Sequence, residues 1–399
     1  MMPRRPRSSG RATWIDGAAL AAGLIAAGCA TSTPTLAPLP TPLAADSIRT
    51  DTIAPGLIHH GYWSARGPWS VQVLEADRAA CWTPVAVKAG GAAVGREPTS
   101  ALLRSLERTA TGLVGGGVNA DFFSFDPPGI PTGAHVSAGR VISGPSARPV
   151  FAVAPDGTPW IGVLATEGFV RIGGTARPLA AWNQRRGAGI RLFDPAWGPA
   201  TDSAAATVEI QIGGTPRRVL AVDTTRPGIG IPLDGLVLVA DSTAPDLRDR
   251  LRSVRTGEPV DYLVRLTPFS PREAVGGFPV LVVDSAIVPG LDSAGGRNFG
   301  PVRHPRTAVG LAQGGRRILL VTVDGRQPPF SDGMTLVELA HLVRSLGATT
   351  AINLDGGGST AMVVRRGGGL DVVNRPSDRT GERPVANALA LVRNCPTRP

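Results

Sequence analysis

The stretch Ala351-Ile-Asn-Leu-Asp-Gly-Gly-Gly-Ser-Thr360 combines a short apolar run with a carboxylate, three glycines and two hydroxyls. Its pattern predicts a strand over residues 350–354 that ends near Asp355, and a second strand over 361–364. Consecutive glycines leave room for a ligand against the backbone, and their exposed N–H groups can hold an anion. A tight hairpin with Asp355 as a turn residue explains the same local pattern. The surrounding sequence has to decide between these interpretations.

The neighbouring segments predict a sheet-rich α+β fold. Apolar strands are predicted over 306–311 and 318–323, followed by a helix over about 335–346 that is capped by Ser331 or Asp332 and closed by Gly347. Because this helix leads into strand 350–354, the order strand–helix–strand predicts a parallel crossover. With the other short β-type segments, this predicts a mixed β-sheet core with a few flanking helices in one large catalytic domain.

Changes in composition divide the chain. Residues 1–28 are predicted to be a lipoprotein-type signal peptide, 29–50 a tether rich in Pro, Thr and Ala, and 51–396 the folded domain. Within that domain, 166–266 reads as short strands with one helix. That region is interpreted either as an inserted lobe or as part of one large mixed sheet.

The N-terminus predicts export. Arginines precede a short apolar run that ends Ile25-Ala-Ala-Gly-Cys29, which resembles a bacterial lipoprotein signal. Lipidation of Cys29 would anchor the protein to a membrane, whereas an ordinary secretory signal would release it. We expect either an anchored envelope lipoprotein or a secreted protein.

The positive charge of the chain does not indicate a nucleic-acid partner. The formal net charge is +10 over 399 residues, and removal of residues 1–28 would leave about +7. Arginine supplies nearly all of it, since Lys88 is the sole lysine. No basic run carries interleaved aromatic residues, and no nucleic-acid motif is present. Scattered arginines still suit an anionic substrate.

Polar side chains follow several predicted strands or lie in glycine-rich loops. Strands of one sheet bring such ends to one edge, so we expect these groups to lie together. They offer carboxylates, which break glycosidic bonds in pairs, and arginines, whose forks match phosphate oxygens. Each group alone is also explained as a turn residue or a surface ion pair. The groups are Asn119 and Asp121; Arg306 and Thr307; Asp324 and Arg326; Asn353, Asp355, Ser359 and Thr360; and Arg383 and Asn387.

Six segments, in this order along the chain, resemble the phosphodiester glycosidase family. Two positions depart from its pattern: Asn119-Ala-Asp121 stands where Asn-Gly-Gly or a close variant is common, and Gly276-Gly-Phe-Pro279 where a third glycine is usual. Both departures bear on the shape of the pocket. The segments are Gly117-Val-Asn-Ala-Asp-Phe-Phe123, Pro305-Arg-Thr-Ala-Val-Gly310, Val323-Asp-Gly-Arg326, Gly333-Met-Thr-Leu-Val-Glu-Leu-Ala340, Ile352-Asn-Leu-Asp-Gly-Gly-Gly-Ser-Thr360 and Arg383-Pro-Val-Ala-Asn387.

The resemblance implies hydrolysis of a sugar 1-phosphodiester of an envelope or extracellular glycan. Cleavage at the sugar carbon would release free sugar and a phosphomonoester, and no cofactor is implied. Positive charge that develops on the sugar ring needs a nearby carboxylate, which Asp355 or Asp324 would supply. Glu338 is a third candidate, with a solvated helix residue as its alternative interpretation.

A phosphate leaving group must be held, and arginines are the first candidates for that role. Arg306, Arg326 and Arg383 are predicted to bind it, with hydroxyls and turn amides as further donors. The remaining residues predicted to bind substrate or phosphate are Asn119, Asp121, Thr307, Asn353, Gly356, Gly357, Gly358, Ser359, Thr360 and Asn387.

Other functional classes fit less well. No Gly-x-Ser-x-Gly segment indicates a serine hydrolase, the glycine turn lacks a P-loop lysine, and the five histidines show no metal-type spacing. A metal held by the aspartates stays open, although none is predicted. A non-catalytic glycan-binding lipoprotein of the same fold is the main alternative, and an inhibitor or assembly protein of polysaccharide export is a weaker one. Retention of both Asp324 and Asp355 favours the enzyme.

The cysteines predict one disulfide. If Cys29 carries lipid, Cys81 and Cys395 remain as a pair in an exported chain, where disulfides persist. Cys81 lies near the start of the folded region and Cys395 just past its last strand. Because domain termini often lie close together, we expect a Cys81–Cys395 bond.

Overall fold

The computed structural model describes residues 45–185, 187–201, 207–226 and 228–395. The predicted signal peptide and the lipidation site Cys29 lie outside the described residues. The first strand begins at Ser47, so the tether predicted to reach residue 50, and the domain predicted to begin at residue 51, are wrong by four residues. Within the described residues, no helix is long and apolar enough to cross a membrane.

The described residues form twenty-seven strands and three α-helices, which confirms a sheet-rich fold and is consistent with the α+β prediction. The helices are α1 Thr99–Thr109, α2 Pro245–Leu251 and α3 Leu336–Ser345. The strands are β1 Ser47–Ala54, β2 Leu57–Ser64, β3 Trp69–Asp77, β4 Trp82–Lys88, β5 Leu113–Asn119, β6 Phe123–Phe125, β7 Pro128–Pro131, β8 His135–Ser137, β9 Arg140–Ser143, β10 Pro149–Val153, β11 Pro159–Val163, β12 Ala165–Ile172, β13 Thr175–Trp182, β14 Ile190–Phe193, β15 Val208–Gly213, β16 Arg218–Asp223, β17 Leu236–Ala240, β18 Val260–Thr267, β19 Glu273–Gly276, β20 Val280–Val283, β21 Ala286–Ile287, β22 Arg306–Ala312, β23 Arg317–Val323, β24 Ala348–Asn353, β25 Met362–Arg366, β26 Gly369–Val372 and β27 Asn387–Arg393.

Four sheets of five or more strands organise the described part of the chain. The central sheet has the order β1-β2-β3-β23-β22-β24-β20-β21, and the back sheet has the order β26-β25-β5-β27-β4. A side sheet has the order β11-β10-β19-β8-β9, and a lobe sheet has the order β16-β15-β17-β14-β13-β12-β18. The lobe sheet contains only strands between residues 165 and 267. This is the region in which the sequence left open an inserted lobe or one larger sheet.

Successive residues of the central strands face opposite sides of the sheet, and this explains how the sheets and helices are layered. In β23, Leu319 and Val321 pack with α3 on one face of the central sheet, while Ile318 and Leu320 face the back sheet. The back sheet in turn covers its outer face with α1. Helix, sheet, sheet and helix therefore stack as four layers, and the central strands are buried on both faces.

The predicted crossover is confirmed. Both β23 and β24 pair antiparallel with β22, which lies between them, so β23 and β24 run parallel and α3 joins them. The cap is Thr335 rather than Ser331 or Asp332, because its hydroxyl accepts from the Glu338 amide in a capping box. Gly347, at φ +92°, ends the helix as predicted.

The glycines of β5 allow the central and back sheets to approach closely. A side chain at Gly115 would lie 2.3 Å from Leu57 of the central sheet, and one at Gly116 would lie 2.9 Å from Leu74 of the same sheet. Cys81 and Cys395, predicted to pair, form a disulfide with their Cα atoms 5.1 Å apart. It ties the end of the last strand to the start of β4.

Candidate active site

The predicted polar groups meet where the central and back sheets share an edge. Arg306 begins β22 opposite Val323, the last residue of β23, and Ala308 of β22 pairs with Asn353 at the end of β24. In the back sheet, Asn119 ends β5 beside the start of β27, since it pairs with Ala388. Antiparallel pairing within each sheet therefore brings starts and ends of different strands to the same place.

The glycine turn links the two sheets and is not a hairpin. Strand β24 belongs to the central sheet and β25 to the back sheet, so the hairpin interpretation is wrong. A short 3₁₀ turn, Gly357–Ser359, makes the connection. A Cβ atom at Gly357 would lie 3.2 Å from the Arg326 guanidinium, and one at Gly358 would lie 2.1 Å from an Asp378 carboxylate oxygen. Charged side chains pack directly on the turn, which explains the need for glycine.

Asn119 holds this turn in place. Its Nδ2 donates to the Asp355 carbonyl (2.7 Å), while its Oδ1 accepts from Thr307 Oγ1 (2.8 Å) and from the Ala361 amide (3.1 Å). The Thr360 hydroxyl lies 3.4 Å from that of Thr307. Asn119, Thr307 and Thr360 are fully buried. All three were predicted to bind substrate, but the structure makes them supports for the turn.

Asp355 presents a partly exposed carboxylate at the start of the turn. Its Oδ1 accepts from the Gly356 amide at 2.9 Å. Burial raises the pKa of Asp355 to about 6, although the Ser359 hydroxyl, the Gly356 amide and the charges of Arg383 and Arg148 act in the opposite direction. The carboxyl group is therefore poised between its two protonation states near neutral pH.

A second carboxyl group, that of Asp121, lies in the electrostatic field of Asp355. It is 1% exposed, its Oδ2 accepts from the Gly133 amide at 2.7 Å, and a Cβ atom at Gly276 would lie 2.4 Å from the same oxygen. Burial raises the pKa of Asp121 to about 7, and the negative charge of Asp355 adds to the rise. The two segments that depart from the family pattern, Asn119-Ala-Asp121 and Gly276-Gly-Phe-Pro279, therefore meet where Asp121 packs against Gly276.

Arg148 is the functional candidate that sequence reasoning missed. Its guanidinium lies 5.0 Å from the ring centroids of both Phe122 and Phe278. Its positive charge lowers the pKa of Asp121 and of Asp355. The residue lies between Gly144 and β10 in a loop with no carboxylate or other polar cluster around it, so the local sequence carries no signal of its role.

Asp324 was predicted to be catalytic, and the structure encloses its carboxylate with three hydrogen-bond donors. Ser70 Oγ donates to Oδ2 (2.7 Å), and Asn374 Nδ2 (3.1 Å) and the Arg375 amide (2.8 Å) donate to Oδ1. The residue is 1% exposed. Burial raises the pKa of Asp324, although these three hydrogen bonds lower it in part. The carboxylate anchors the loop after β26 to the central sheet.

Glu338 was predicted to be a third catalytic carboxylate, and its position supports the alternative of a helix residue. One oxygen accepts from the Thr335 amide at 2.9 Å, which completes the capping box of α3. The carboxylate also pairs with Arg303 at 2.6 Å. Both interactions are structural and lower the pKa of Glu338.

The prediction that Arg306 binds phosphate conflicts with its contacts. Nε donates to the Met334 carbonyl (2.8 Å), Nη2 donates to those of Phe299 (2.6 Å) and Val302 (2.9 Å), and the side chain is 1% exposed. Burial lowers its pKa to about 10. Arg306 joins the loop before β22 to the start of α3.

The other two predicted arginines lie on the glycine turn. Arg383 forms a two-pronged ion pair with Asp378, with Nε at 2.8 Å and Nη2 at 3.1 Å. Arg326 is exposed, and its Nη2 lies 3.1 Å from His304 Nδ1. Arg326 thus keeps the more accessible guanidinium of the two.

Two predicted asparagines shape the walls of the site. Asn353 Nδ2 donates to the carbonyls of Phe278 (2.7 Å) and Leu354 (2.8 Å). Asn387 Oδ1 accepts from the Asp121 amide at 2.8 Å, and its Nδ2 bonds His135 Nδ1 at 3.0 Å. His135 is buried, which lowers its pKa to about 3 and keeps it neutral. Within the described ranges, no group of three or more His, Cys, Asp or Glu residues is placed to hold a metal ion.

The family comparison agrees with the motifs. The model of the phosphodiester glycosidase family matches residues 206–392, which confirms the resemblance. That range contains Asp355, Arg326 and Arg383, whereas Asp121 and Arg148 precede it. No curated protein matches the sequence significantly.

Two of the solved structures that match this chain share its fold, those at TM-scores 0.72 and 0.64. A hypothetical protein from Synechocystis matches at TM-score 0.72 and 23% identity, over 88% of this chain and 64% of that one, so this chain spans less than two thirds of its length. A putative exported protein from Burkholderia pseudomallei matches at 0.64 and 27%, over 82% and 74%. The catalytic domain of zebrafish N-acetylglucosamine-1-phosphodiester alpha-N-acetylglucosaminidase, auto-inhibited by its pro-peptide, matches at 0.45 and 16%, over 86% and 81%.

Proposed function

We propose that this chain, which matches the phosphodiester glycosidase family over residues 206–392, hydrolyses the sugar–phosphate bond of a sugar 1-phosphodiester. The observation that carries the proposal is Asp355, a partly exposed carboxylate in the positive field of Arg383 and Arg148, at a glycine turn on which Arg326 packs. A carboxylate suits the developing positive charge on a sugar ring, and the arginines suit the phosphate. Free sugar and a phosphomonoester are the products.

The charges of the site fit this reaction. The bond between the anomeric carbon and the phosphate oxygen breaks, and that oxygen keeps the electron pair. Water supplies the new oxygen on the sugar and releases one proton. Asp355 stabilises the charged ring, and Arg326, above Gly357, faces the departing phosphate. A phosphate leaves more readily than an alcohol, so the reaction depends on holding it rather than on a strong general acid.

Asp121 helps to keep Asp355 ionised. Two neighbouring carboxyl groups in a buried site resist losing both protons, so one of them stays neutral near pH 7. Asp121 is the more deeply buried of the two, and its burial together with the negative charge of Asp355 raises its pKa. The proton therefore resides mainly on Asp121, which leaves the accessible Asp355 in its charged form.

The test is a panel of sugar 1-phosphodiesters that differ in sugar and anomer, with release of free sugar as the readout. We expect one or more members to be turned over by the purified chain and not by Asp355→Asn. Asp371→Asn serves as the control, because Asp371 is an exposed aspartate on β26. Tight binding of the panel without turnover would instead support the non-catalytic glycan-binding protein.

The cellular location is part of the proposal. The N-terminal pattern that ends at Cys29 and the similarity to a putative exported protein support export, with an envelope or extracellular glycan as the source of substrate. Cell fractionation of the wild type and of Cys29→Ala tests it. We expect the wild type in the membrane fraction and the variant released from it. Cytoplasmic recovery of both would contradict export.

A further inference from the structure

A cavity of about 500 Å³ lies at the outer edge of the back sheet. Strand β4, the last strand of that sheet, forms one wall, and helix α1 and the hairpin of β8 and β9 form the others. None of the residues that line this cavity belongs to the candidate active site. This edge cavity is therefore a separate candidate site for a small molecule.

One wall of the edge cavity is apolar and only partly covered. Residues alternate along β4, so Ala86 packs between the central and back sheets while Val85 and Val87 face α1. Both valines, and Leu106 of α1, remain partly exposed where they line the cavity. An apolar group that covered these three side chains would gain free energy by leaving water.

The same cavity is lined by two cations and by no acidic residue. Arg140, at the start of β9, is exposed, and its side chain forms no hydrogen bond or ion pair with any residue that the structure describes. Lys88 is 8% exposed and donates to the carbonyls of Ala89 and Gly95, both at 3.1 Å, but no described carboxylate pairs with it. Burial lowers the pKa of Lys88 to about 7, against the charge of Glu97. An anion in the cavity would offset both positive charges.

The walls of the edge cavity are held together by hydrogen bonds to β4. Behind them, the buried Glu273 carboxylate accepts from the amides of Ala86 (2.9 Å) and Ala138 (3.1 Å), and burial raises the pKa of Glu273 to about 7. Ser137 Oγ donates to the Ala86 carbonyl at 2.8 Å. Both edge groups of Ala86 are thus occupied, and Pro84 has no N–H group, so this edge cannot pair with an added strand. The occupant is a small molecule rather than a peptide strand.

We propose that the edge cavity binds a small amphipathic anion, a carboxylate with an apolar chain. The planar fork of Arg140 matches the two carboxylate oxygens, and Lys88 adds its positive charge from the buried side. The chain lies against Val85, Val87 and Leu106. This inference is independent of the proposed hydrolysis, because it uses no residue of that site.

Three probes separate the contributions of charge and chain: octanoate, acetate, which lacks the chain, and 1-octanol, which lacks the charge. Binding is measured by calorimetry on the full chain. We expect octanoate to bind at least about a hundredfold more tightly than acetate, because each buried CH₂ group adds roughly fourfold. Octanoate should also bind about tenfold more tightly than 1-octanol, since the alcohol makes no charge-assisted hydrogen bond. Equal affinity for octanoate and 1-octanol would contradict an anion site.

Variants locate the binding in the edge cavity. Arg140→Gln, at an exposed residue, should weaken octanoate by about tenfold and leave 1-octanol unaffected. Arg250→Gln, at an exposed arginine of α2 outside the cavity, is the matched control and should bind as the wild type.

A second variant tests the apolar wall. Val87→Thr keeps the shape of the side chain but places a hydroxyl on the wall, so it should weaken octanoate and 1-octanol alike, by about threefold or more. The absence of octanoate binding to the wild type, or wild-type binding by either folded variant, Arg140→Gln or Val87→Thr, would overturn the inference.

Discussion

Asp324 and Asp355 have nearly the same local sequence, but the first carboxylate is enclosed and the second is partly exposed. Each follows an apolar strand of the central sheet, each precedes glycine, and the two strands run parallel to the same edge. Asp324 is enclosed by three donors, from Ser70, Asn374 and Arg375. Asp355 is partly exposed, accepts a hydrogen bond from its own turn, and lies in the positive field of Arg383 and Arg148. The end of each strand thus places a carboxylate at the site. Whether that carboxylate stays accessible depends on the segments, distant in sequence, that pack around it.

The largest expected difference is in activity. Asp355→Asn should lower kcat by on the order of a hundredfold or more, because the amide cannot stabilise positive charge on the sugar. The partly exposed turn accommodates the amide, so the melting temperature should stay near that of the wild type. Asp324→Asn, assayed at a temperature where it is folded, should keep most of its kcat. The comparison fails if the two variants lose activity equally while both remain folded.

Asp121→Asn should change the pH dependence of stability. The raised pKa of Asp121 means that the native state holds a proton that the unfolded chain has already lost, so the free energy of unfolding of the wild type falls between about pH 4 and 7. Asparagine does not titrate, so the variant does not lose stability as the pH rises. Its side-chain oxygen can still accept the hydrogen bond from the Gly133 amide. We expect the variant to gain on the order of 3 kcal/mol at pH 8 and nothing at pH 4, by urea denaturation. An equal effect at both pH values would contradict the buried proton.

Asp324→Asn should be destabilising instead. Its amide would present N–H groups to at least one of the three donors, leaving a buried group without a partner. We expect a loss of about 2 kcal/mol in the free energy of unfolding, measured by denaturant titration. Asp371→Asn, at an exposed aspartate, provides the baseline. No loss of stability would return Asp324 to the list of candidates for catalysis.

Arg306→Lys is expected to have the smallest effect, a loss of stability without a change in substrate binding. Lysine cannot reproduce the fork that reaches the carbonyls of Phe299, Val302 and Met334, so a stability loss of about 1–2 kcal/mol is expected. The KM should change little. A raised KM with unchanged stability would restore the original prediction that Arg306 holds phosphate.

Much of the frame was predictable from the sequence because it depends on local patterns. The apolar alternation of β22 and β23, the helix closed by Gly347 and the pairing of Cys81 with Cys395 all follow from such patterns. The sequence did not predict which of the candidate residues are enclosed by other groups and which stay accessible. The partners of Asp324 and Arg306, and the aromatic faces that hold Arg148, come together only through tertiary packing.

The hairpin alternative failed for a similar reason. Two short apolar strands joined by glycines satisfy the local pattern of a hairpin, but β24 and β25 find their partners in different sheets. Pairing is decided by the whole set of strands, which no single stretch reveals. The glycines Gly357 and Gly358 alone likewise do not predict which side chains pack against the turn, namely Asp378, Arg383 and Arg326.

The most direct test of the account is turnover of a sugar 1-phosphodiester in heavy-oxygen water, with the wild type and Asp355→Asn side by side. Cleavage at the sugar carbon predicts that the wild type places the label in the released sugar and leaves the phosphomonoester unlabelled, while the variant releases almost no sugar. Label in the phosphate would mean attack at phosphorus, and would contradict a site built around Asp355 to stabilise a charged sugar ring.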